Sequence, residues 1–312
     1  VTISSKAAGI GGSKLNLKKG DKITIHDLLY GLMLRSGNDA AIALAEEVGG
    51  SVEGFAELMN KKALELGLKN THFVTPHGLD SSEHYTTASE LALLTDYALT
   101  IPKFREIVGM HSYILTINGQ SRTINNTNEL LGYLDGVYGV KTGFTNGAGR
   151  CLVTSTKRDN MDIICVVLGA DTKKFRTQDS MKLIEYAFKN FELVDLNNKF
   201  IEIFENSNIE NKISVIKGKE QHLQLELQDF HTLVCVRKMD IENIKFTLNV
   251  SDTILAPVQQ GHIVGSISAM IDDNIIMSKN ICIKKEIPAK NIWNYMIEMF
   301  KNYAIYISNA FV

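Results

Sequence analysis

The run from Gly139 to Gly169 constrains this chain more than any other stretch, because its pattern is that of three successive antiparallel strands. Gly139, Val140 and the β-branched Thr142 suit extended backbone, and Gly143 leaves no side chain where a second backbone could lie along the strand edge. The cluster Asn146, Gly147, Ala148 and Gly149 then forces a turn. Cys151 to Lys157 alternates like a returning strand, Arg158-Asp159-Asn160 turns again, and Met161 to Gly169 is an apolar run suited to a buried central strand. The first strand of this meander carries Lys141 and Thr142.

The chain of 312 residues, 45% of them hydrophobic, can bury one large core or two ordinary ones. Its first twenty residues, rich in Gly, Ser and Lys, read as loop and edge structure. Thr24 followed by Asp27 resembles a capping box, which predicts a helix from about Ile25 to Leu34. Arg35-Ser36-Gly37-Asn38 interrupts it, with Gly37 able to bend the chain, and helix formers resume from Asp39 to Val48. Ser36 and Asn38 are therefore expected on a tight connection between two apolar helices. Ser51 opens a helix that reaches Leu66 and closes at Gly67, and Thr71 to Asp80 is loop. Thr87-Ala88-Ser89-Glu90 is a second capping box, for a helix ending near Thr100, after which Ile101-Pro102 starts a new segment. Asn118-Gly119 between two alternating runs predicts a hairpin, and the spacing of Met181, Ile184, Ala187, Phe188 and Phe191 predicts a helix over 172–191.

From Leu193 the texture changes to short β-like runs, Phe200 to Phe204 among them, which together suggest a small all-β sandwich or barrel. Ala289 to Val312 carries Ile292, Trp293, Met296, Ile297, Phe300, Tyr303, Ala304 and Ile307 on one broad face. That face suits either packing on the β domain or a membrane surface, whereas Glu298 and Lys301 in mid-segment argue against a single span.

Several function classes fall away on charge and residue usage. A net charge of −2 and the lack of a long basic run leave no footprint for nucleic acid. Cys151, Cys165, Cys235 and Cys282 show no paired spacing for zinc or a disulfide framework and read as buried thiols. His72, His77 and His84 lie in a loop without the helical spacing of a metalloenzyme, so they read as loop-stabilising, and Asp80 reads as a turn cap. Neither a metal nor a cofactor is implied.

Two short motifs carry chemistry. Ser36-Gly37-Asn38 on a helix-to-helix turn and Lys141-Thr142-Gly143 on a strand match, in order, motifs of penicillin-binding proteins and β-lactamases, with Gly37 where an Asp can stand. The segments Leu34 to Ala41, Phe73 to Asp80 and Gly139 to Thr145 with Ala148-Gly149 resemble the serine D-alanyl-D-alanine carboxypeptidases, the low-molecular-mass penicillin-binding proteins. The resemblance implies an α+β fold in three parts: a transpeptidase-like catalytic domain of antiparallel sheet and helices over 1–192, a β-rich domain over 193–286, and an amphipathic anchor helix over 287–312. It implies removal of the terminal D-alanine from peptidoglycan stem peptides through a serine acyl-enzyme, inhibition by β-lactam antibiotics, and a place on the outer face of the bacterial cell membrane.

The same resemblance assigns roles. Ser36 would carry a hydroxyl into the proton relay, and Asn38 would bond the substrate amide or the catalytic lysine. Lys141 would hold the terminal carboxylate with help from the Thr142 hydroxyl, and Gly143 would admit the substrate backbone. A main-chain N–H near Phe144 or Thr145 would complete an oxyanion hole. The family's nucleophile and its lysine belong to a Ser-x-x-Lys motif upstream of Ser36, and Val1 to Arg35 contains none; the one match, Ser214 to Lys217, lies in the β-rich part. The expectation is therefore a chain lacking the start of its catalytic domain, signal peptide included, and inactive as it stands. The alternatives are a non-catalytic peptidoglycan-binding homologue and, against the extra β domain and tail, a β-lactamase.

Overall fold

The computed structural model describes residues 1–220, 222–228 and 232–310, with side chains through residue 304 of the last helix. The chain forms two compact units, Val1–Lys189 and Asn190–Val312.

The first unit begins with a short helix that the sequence pattern did not indicate, α1 (Ser5–Gly9), capped by the Ser4 hydroxyl. Helix α2 (Ile25–Arg35) starts where Thr24 accepts the Asp27 N–H, so the expected cap forms. The interruption before α3 (Asn38–Gly49) differs in one respect from expectation. Ser36, not Gly37, takes the left-handed conformation, at φ 60°, while Gly37 stays at φ −69°. Gly37 serves close packing instead: a Cβ there would lie 3.0 Å from Asp39 Oδ1 and 3.1 Å from Leu15 Cγ. Helix α4 (Val52–Glu65) follows Ser51, whose hydroxyl accepts the Gly54 N–H, and ends before Gly67 at φ 72°.

Helix α5 (Ala88–Leu99) is capped by Thr87 as expected. Glu90 does not close the capping box; its carboxylate turns to the Asn70 N–H and the Thr71 hydroxyl, tying the preceding loop to the helix. Helix α6 (Pro102–Gly109) has Pro at its start, where a missing N–H costs nothing. Strands β1 (Ser112–Ile117) and β2 (Gln120–Asn125) make the hairpin at Asn118-Gly119, both at positive φ. Strands β3 (Val137–Thr145), β4 (Gly149–Arg158) and β5 (Met161–Ala170) form the expected antiparallel meander, with β3 on its edge, and α7 (Lys173–Asn190) follows.

Apolar burial divides this unit into connected clusters. Leu28, Leu34, Ile42, Leu44, Leu115 and Ile124 join α2, α3 and the hairpin in one core. Leu130, Leu152, Cys165, Val167 and Ile184 seat α7 on the sheet. A third group, Leu99, Val108 and Val140 with Met33 and Phe104 against it, joins α5 and α6 to β3. Met33 touches the first cluster as well as the third, so the end of α2 is packed against the strand that carries Lys141.

The second unit is β-rich with one correction. Phe200 to Phe204 is not a strand but part of α8 (Asn197–Asn206), reached after a strand β6 (Phe191–Asp195). Phe200 is fully buried, and Ile203 and Phe204 pack on the same core, so the three apolar residues have helical spacing. The remaining strands are β7 (Ser214–Ile216), β8 (Leu225–Leu227), β9 (Leu233–Arg237), β10 (Lys245–Val250), β11 (Thr253–Leu255), β12 (Ile263–Ile271) and β13 (Asn274–Ile283). They pair as an antiparallel sheet in the order β10-β12-β13-β8, an antiparallel pair β6-β9 and a parallel pair β7-β11. Ser214 to Lys217 thus begins on a short strand rather than at a helix start.

Helix α9 (Ile292–Ala310) leaves Ile292, Trp293, Met296, Ile297, Phe300 and Tyr303 exposed, which excludes packing of these residues on the β domain. The side chain of Ile307 and the whole of Val312 lie outside the described residues. No described helix is long and apolar enough to cross a membrane. The cysteines are free; Cys165 and Cys282 are buried as expected, whereas Cys151 is half-buried and Cys235 exposed.

The connection that bears Ser36 is held by one carboxylate. Asp39 is fully buried and accepts the backbone N–H groups of Leu15, Leu17 and Ala40. Asp39→Ala orphans the buried Leu15 and Leu17 donors, and the expected result is a loss of about 3 kcal/mol, read from the urea midpoint at pH 7.

Candidate active site

Three elements converge at the end of α2. The left-handed Ser36 turns its hydroxyl toward β3, where the Lys141 ammonium donates to Ser36 Oγ at 2.9 Å and to the Thr142 carbonyl at 2.8 Å. No ion pair to Lys141 exists among the described residues. Burial of the ammonium lowers its pKa from 10.5 to about 8. The groove therefore holds a positive charge whose only partners here are neutral oxygens.

A polar segment between β2 and β3 supports the pair, and nothing in the hydrophobic pattern announced it. The Thr127 N–H donates to the Leu34 carbonyl at the end of α2, and Thr127 Oγ1 lies 2.7 Å from Thr142 Oγ1. Asn126 donates from its side chain to Val108 and Met110 carbonyls at the end of α6, and Asn128 donates to the Gly139 carbonyl of β3. Glu129 accepts from Arg176, a buried guanidinium on α7, at 3.1 Å. One segment thus bonds α2, α6, β3 and α7. The run of Asn and Thr at 125–128 was the available signal; such residues favour turns but do not specify their partners.

Of the residues singled out from sequence, Ser36, Lys141 and Thr142 meet directly. Asn38, two residues after Ser36, is buried, with its side-chain amide donating to the Gly11 carbonyl at 2.8 Å. Gly143 lies opposite Cys151 on β4, and Phe144 opposite Arg150, whose guanidinium sits 3.5 Å from the centroid of the exposed Phe144 ring. The edge of β3 away from β4 has no strand partner among the described residues. Asp80 is not a turn cap. It accepts from the Gly147 N–H at 3.1 Å and bonds the Thr145 side chain, which lowers its pKa and clasps the 71–85 loop to the β3–β4 turn. The histidines stabilise that loop: His84 Nδ1 accepts the Val74 N–H, His77 Nδ1 accepts the Leu79 N–H, and His72 bonds the Glu83 carbonyl. No group of metal-ligating side chains occurs among the described residues.

The chain is similar to known proteins along most of its length. The family model described as D-alanyl-D-alanine carboxypeptidase covers residues 1–172, and that of the penicillin-binding protein 5 C-terminal domain covers residues 199–289. The chain belongs to the D-alanyl-D-alanine carboxypeptidase family. It is thereby one of the low-molecular-mass penicillin-binding proteins. It is 34% identical over 287 residues to the D-alanyl-D-alanine carboxypeptidase DacF of Bacillus subtilis, covering 92% of this chain and 72% of that protein. Against the D-alanyl-D-alanine carboxypeptidase DacA of Escherichia coli it is 32% identical over 295 residues, covering 93% of this chain and 70% of that protein. The crystal structure of penicillin-binding protein 5 from Haemophilus influenzae superposes with a TM-score of 0.75 at 30% identity, covering 92% of this chain and 82% of that one.

The lowered pKa of Lys141 has a sign that experiment can read. Below about pH 8 the lysine is charged in both the folded and unfolded chain, and the full desolvation penalty is present. Between 8 and 10.5 the unfolded chain binds more protons than the folded one, so this group's penalty fades and its contribution to stability rises with pH, by at most about 3 kcal/mol. Urea unfolding at pH 8 and pH 10 should show that rise in the wild type relative to Lys141→Met; parallel pH dependence in the two would contradict it.

Proposed function

We propose that this protein removes the terminal D-alanine of peptidoglycan stem peptides through a serine acyl-enzyme, and that the Lys141–Ser36 pair is the part of the machinery held in these residues. The observation that carries the reading is a desolvated ammonium on a free strand edge with no carboxylate partner among the described residues. A substrate's terminal carboxylate supplies that counter-ion, with Thr142 as its second donor. Asn38 lies within the same turn and serves the substrate amide or the catalytic lysine, and Gly143 admits the peptide backbone alongside β3. An N–H from Phe144 or Thr145 faces the carbonyl under attack.

The donor direction at Ser36 defines its role. Because Lys141 donates to Ser36 Oγ, the serine's own O–H is directed elsewhere and can protonate the leaving D-alanine nitrogen. The attacking serine hydroxyl adds to the carbonyl of the penultimate D-alanine as its proton passes to the catalytic lysine, which replaces the proton that Ser36 gives to the leaving nitrogen; the C–N bond breaks, and water later hydrolyses the ester and returns the serine its proton. β-Lactam antibiotics carry a carboxylate next to a reactive amide and acylate the same serine. Helix α9, with Trp293, Phe300 and Tyr303 exposed, docks on the outer surface of the cytoplasmic membrane.

One observation favours a second reading, a peptidoglycan-binding homologue without turnover: these 312 residues place no Ser-x-x-Lys helix at the groove, and the one match in the chain is on β7. Labelling separates the two. The full-length gene product should release D-alanine from a D-Ala-D-Ala peptide and take up a fluorescent penicillin, and Lys141→Ala should slow labelling roughly a hundredfold. Labelling unchanged by Lys141→Ala would reject the role of the lysine, and peptide binding without any labelling would favour the second reading. Deletion of residues 291–312 should move the protein from the membrane fraction to the supernatant; a truncated protein that still pellets would reject docking by α9.

A further inference from the structure

Where the segment between α1 and α2, the end of α2 and strand β2 meet, there is a cavity of about 370 Å³ that the proposed reaction does not use. Buried Leu15 and Ile124 form its floor, and Thr123 and Asn125 add polar side chains. Lys14, Arg35 and Arg122 line it from three different elements, and no Asp or Glu does. Among the described residues none of these three cations has an ion pair, and the side chains of Lys14 and Arg35 make no hydrogen bond. In a chain of net charge −2, this is a concave concentration of uncompensated positive charge.

Part of the cluster is held in place. One Arg122 nitrogen donates to the Leu15 carbonyl, and the Leu15 N–H is fixed in turn by Asp39. The guanidinium is thereby positioned while its other N–H groups stay available. Asp39 itself is fully buried and accepts from Leu15, Leu17 and Ala40, so it pairs with none of the three cations. The partial negative charge at the C-terminal end of α2 opposes an anion here, but the Gly31 carbonyl accepts from Ser36 and Gly37, and the Leu34 carbonyl from Thr127. Arg35 alone could be read as the complement of that helix end. Lys14 and Arg122 belong to other elements, so the helix does not account for them.

We infer that this cavity binds a phosphate group carried by a small phosphate ester or a lipid headgroup. One guanidinium suffices for a planar carboxylate, which it holds with two parallel bonds. Cations converging from three elements suit a tetrahedral anion, whose oxygens face several directions at once. The volume lies near the lower end of the range for small-ligand sites, roughly 300 to 1,000 Å³, which fits a phosphate with a short polar substituent. A bound phosphate ties the 13–17 segment and β2 to Arg35, the residue before Ser36. The inference stands apart from the proposed reaction, since it uses none of the groove residues.

Titration calorimetry on the 312-residue chain at pH 7 and low salt tests this with inorganic phosphate, sn-glycerol 3-phosphate and, for comparison, acetate. Both phosphates should bind roughly tenfold more tightly than acetate, and raising the salt to about 0.5 M should weaken them. Arg35→Gln removes an exposed cation that has no partner in the fold, so it should leave the urea midpoint in chloride unchanged and weaken phosphate roughly tenfold. Lys14→Gln should act in the same direction. Arg122→Lys keeps a charge without the fork and should lose less than Arg122→Gln. Vesicles of phosphatidylglycerol separate the sources: weaker binding by Arg35→Gln than by the wild type assigns the site to a lipid headgroup, equal binding assigns it to a free phosphate ester, and either keeps the site. Absence of phosphate binding, acetate bound as tightly as phosphate, or phosphate affinity unchanged in both Arg35→Gln and Lys14→Gln overturns it.

Discussion

Everything at this site depends on keeping an ammonium ion out of water without giving it a carboxylate. Lys141 loses solvation in the groove and recovers part of it from two neutral oxygens, Ser36 Oγ and the Thr142 carbonyl. A buried charge so poorly compensated favours the neutral form, which is why its pKa lies near 8 rather than 10.5. The deficit is what gives the position its use. An internal carboxylate would take up the charge and occupy the place proposed for the substrate carboxylate; neutral oxygens hold the lysine in position while leaving its charge available.

A charge held this way needs a rigid frame, because small movements would let water in or break either bond. The frame is polar as well as apolar. Met33 packs α2 against the cluster around Val108 and Val140, bringing the two motifs close, but apolar contact alone would not fix the hydroxyl and ammonium to within hydrogen-bond length. Directional bonds from Asn126, Thr127 and Asn128 to α2, α6 and β3 add that precision, and Asp39 does the same for the Ser36 turn from the other side. Most of these partners are main-chain carbonyls and N–H groups, so the frame registers backbone positions rather than particular neighbouring side chains.

That division explains what could be read from the sequence. Local rules located the caps at Thr24, Ser51 and Thr87, the Asn118-Gly119 hairpin and the three-strand meander, because each is decided by residues a few places apart. The two motifs were legible because short residue patterns carry them, although only the fold shows Lys141 reaching Ser36. Long-range polar contacts were not legible: Asp80 was read as a turn residue because its partners at Thr145 and Gly147 lie far along the chain. Glu90 likewise abandoned a local box for Asn70 and Thr71. Phe200 to Phe204 misled for another reason. A five-residue run rich in Phe and Ile satisfies strand and helix patterns alike, and burial of Phe200 against the second core decided between them.

An unpaired strand edge proposed to receive a peptide is also an edge that could pair with another chain, and the surroundings of β3 limit the second outcome. A strand template is hazardous when it is long, flat and apolar. On β3 the first part is covered by α6 and by the Asn128 bond to Gly139, and an inward lysine and a glycine interrupt what remains. The Asp80 clasp then bounds the far end at the turn. Only the few residues from Lys141 to Thr145 stay open, a length that suits the last residues of a short peptide ending in a carboxylate. A longer strand entering from a folded protein would meet α6 at one end and the clasped loop at the other. The same contacts that position Lys141 therefore also limit what can lie beside it, as the proposed selectivity for a chain terminus requires.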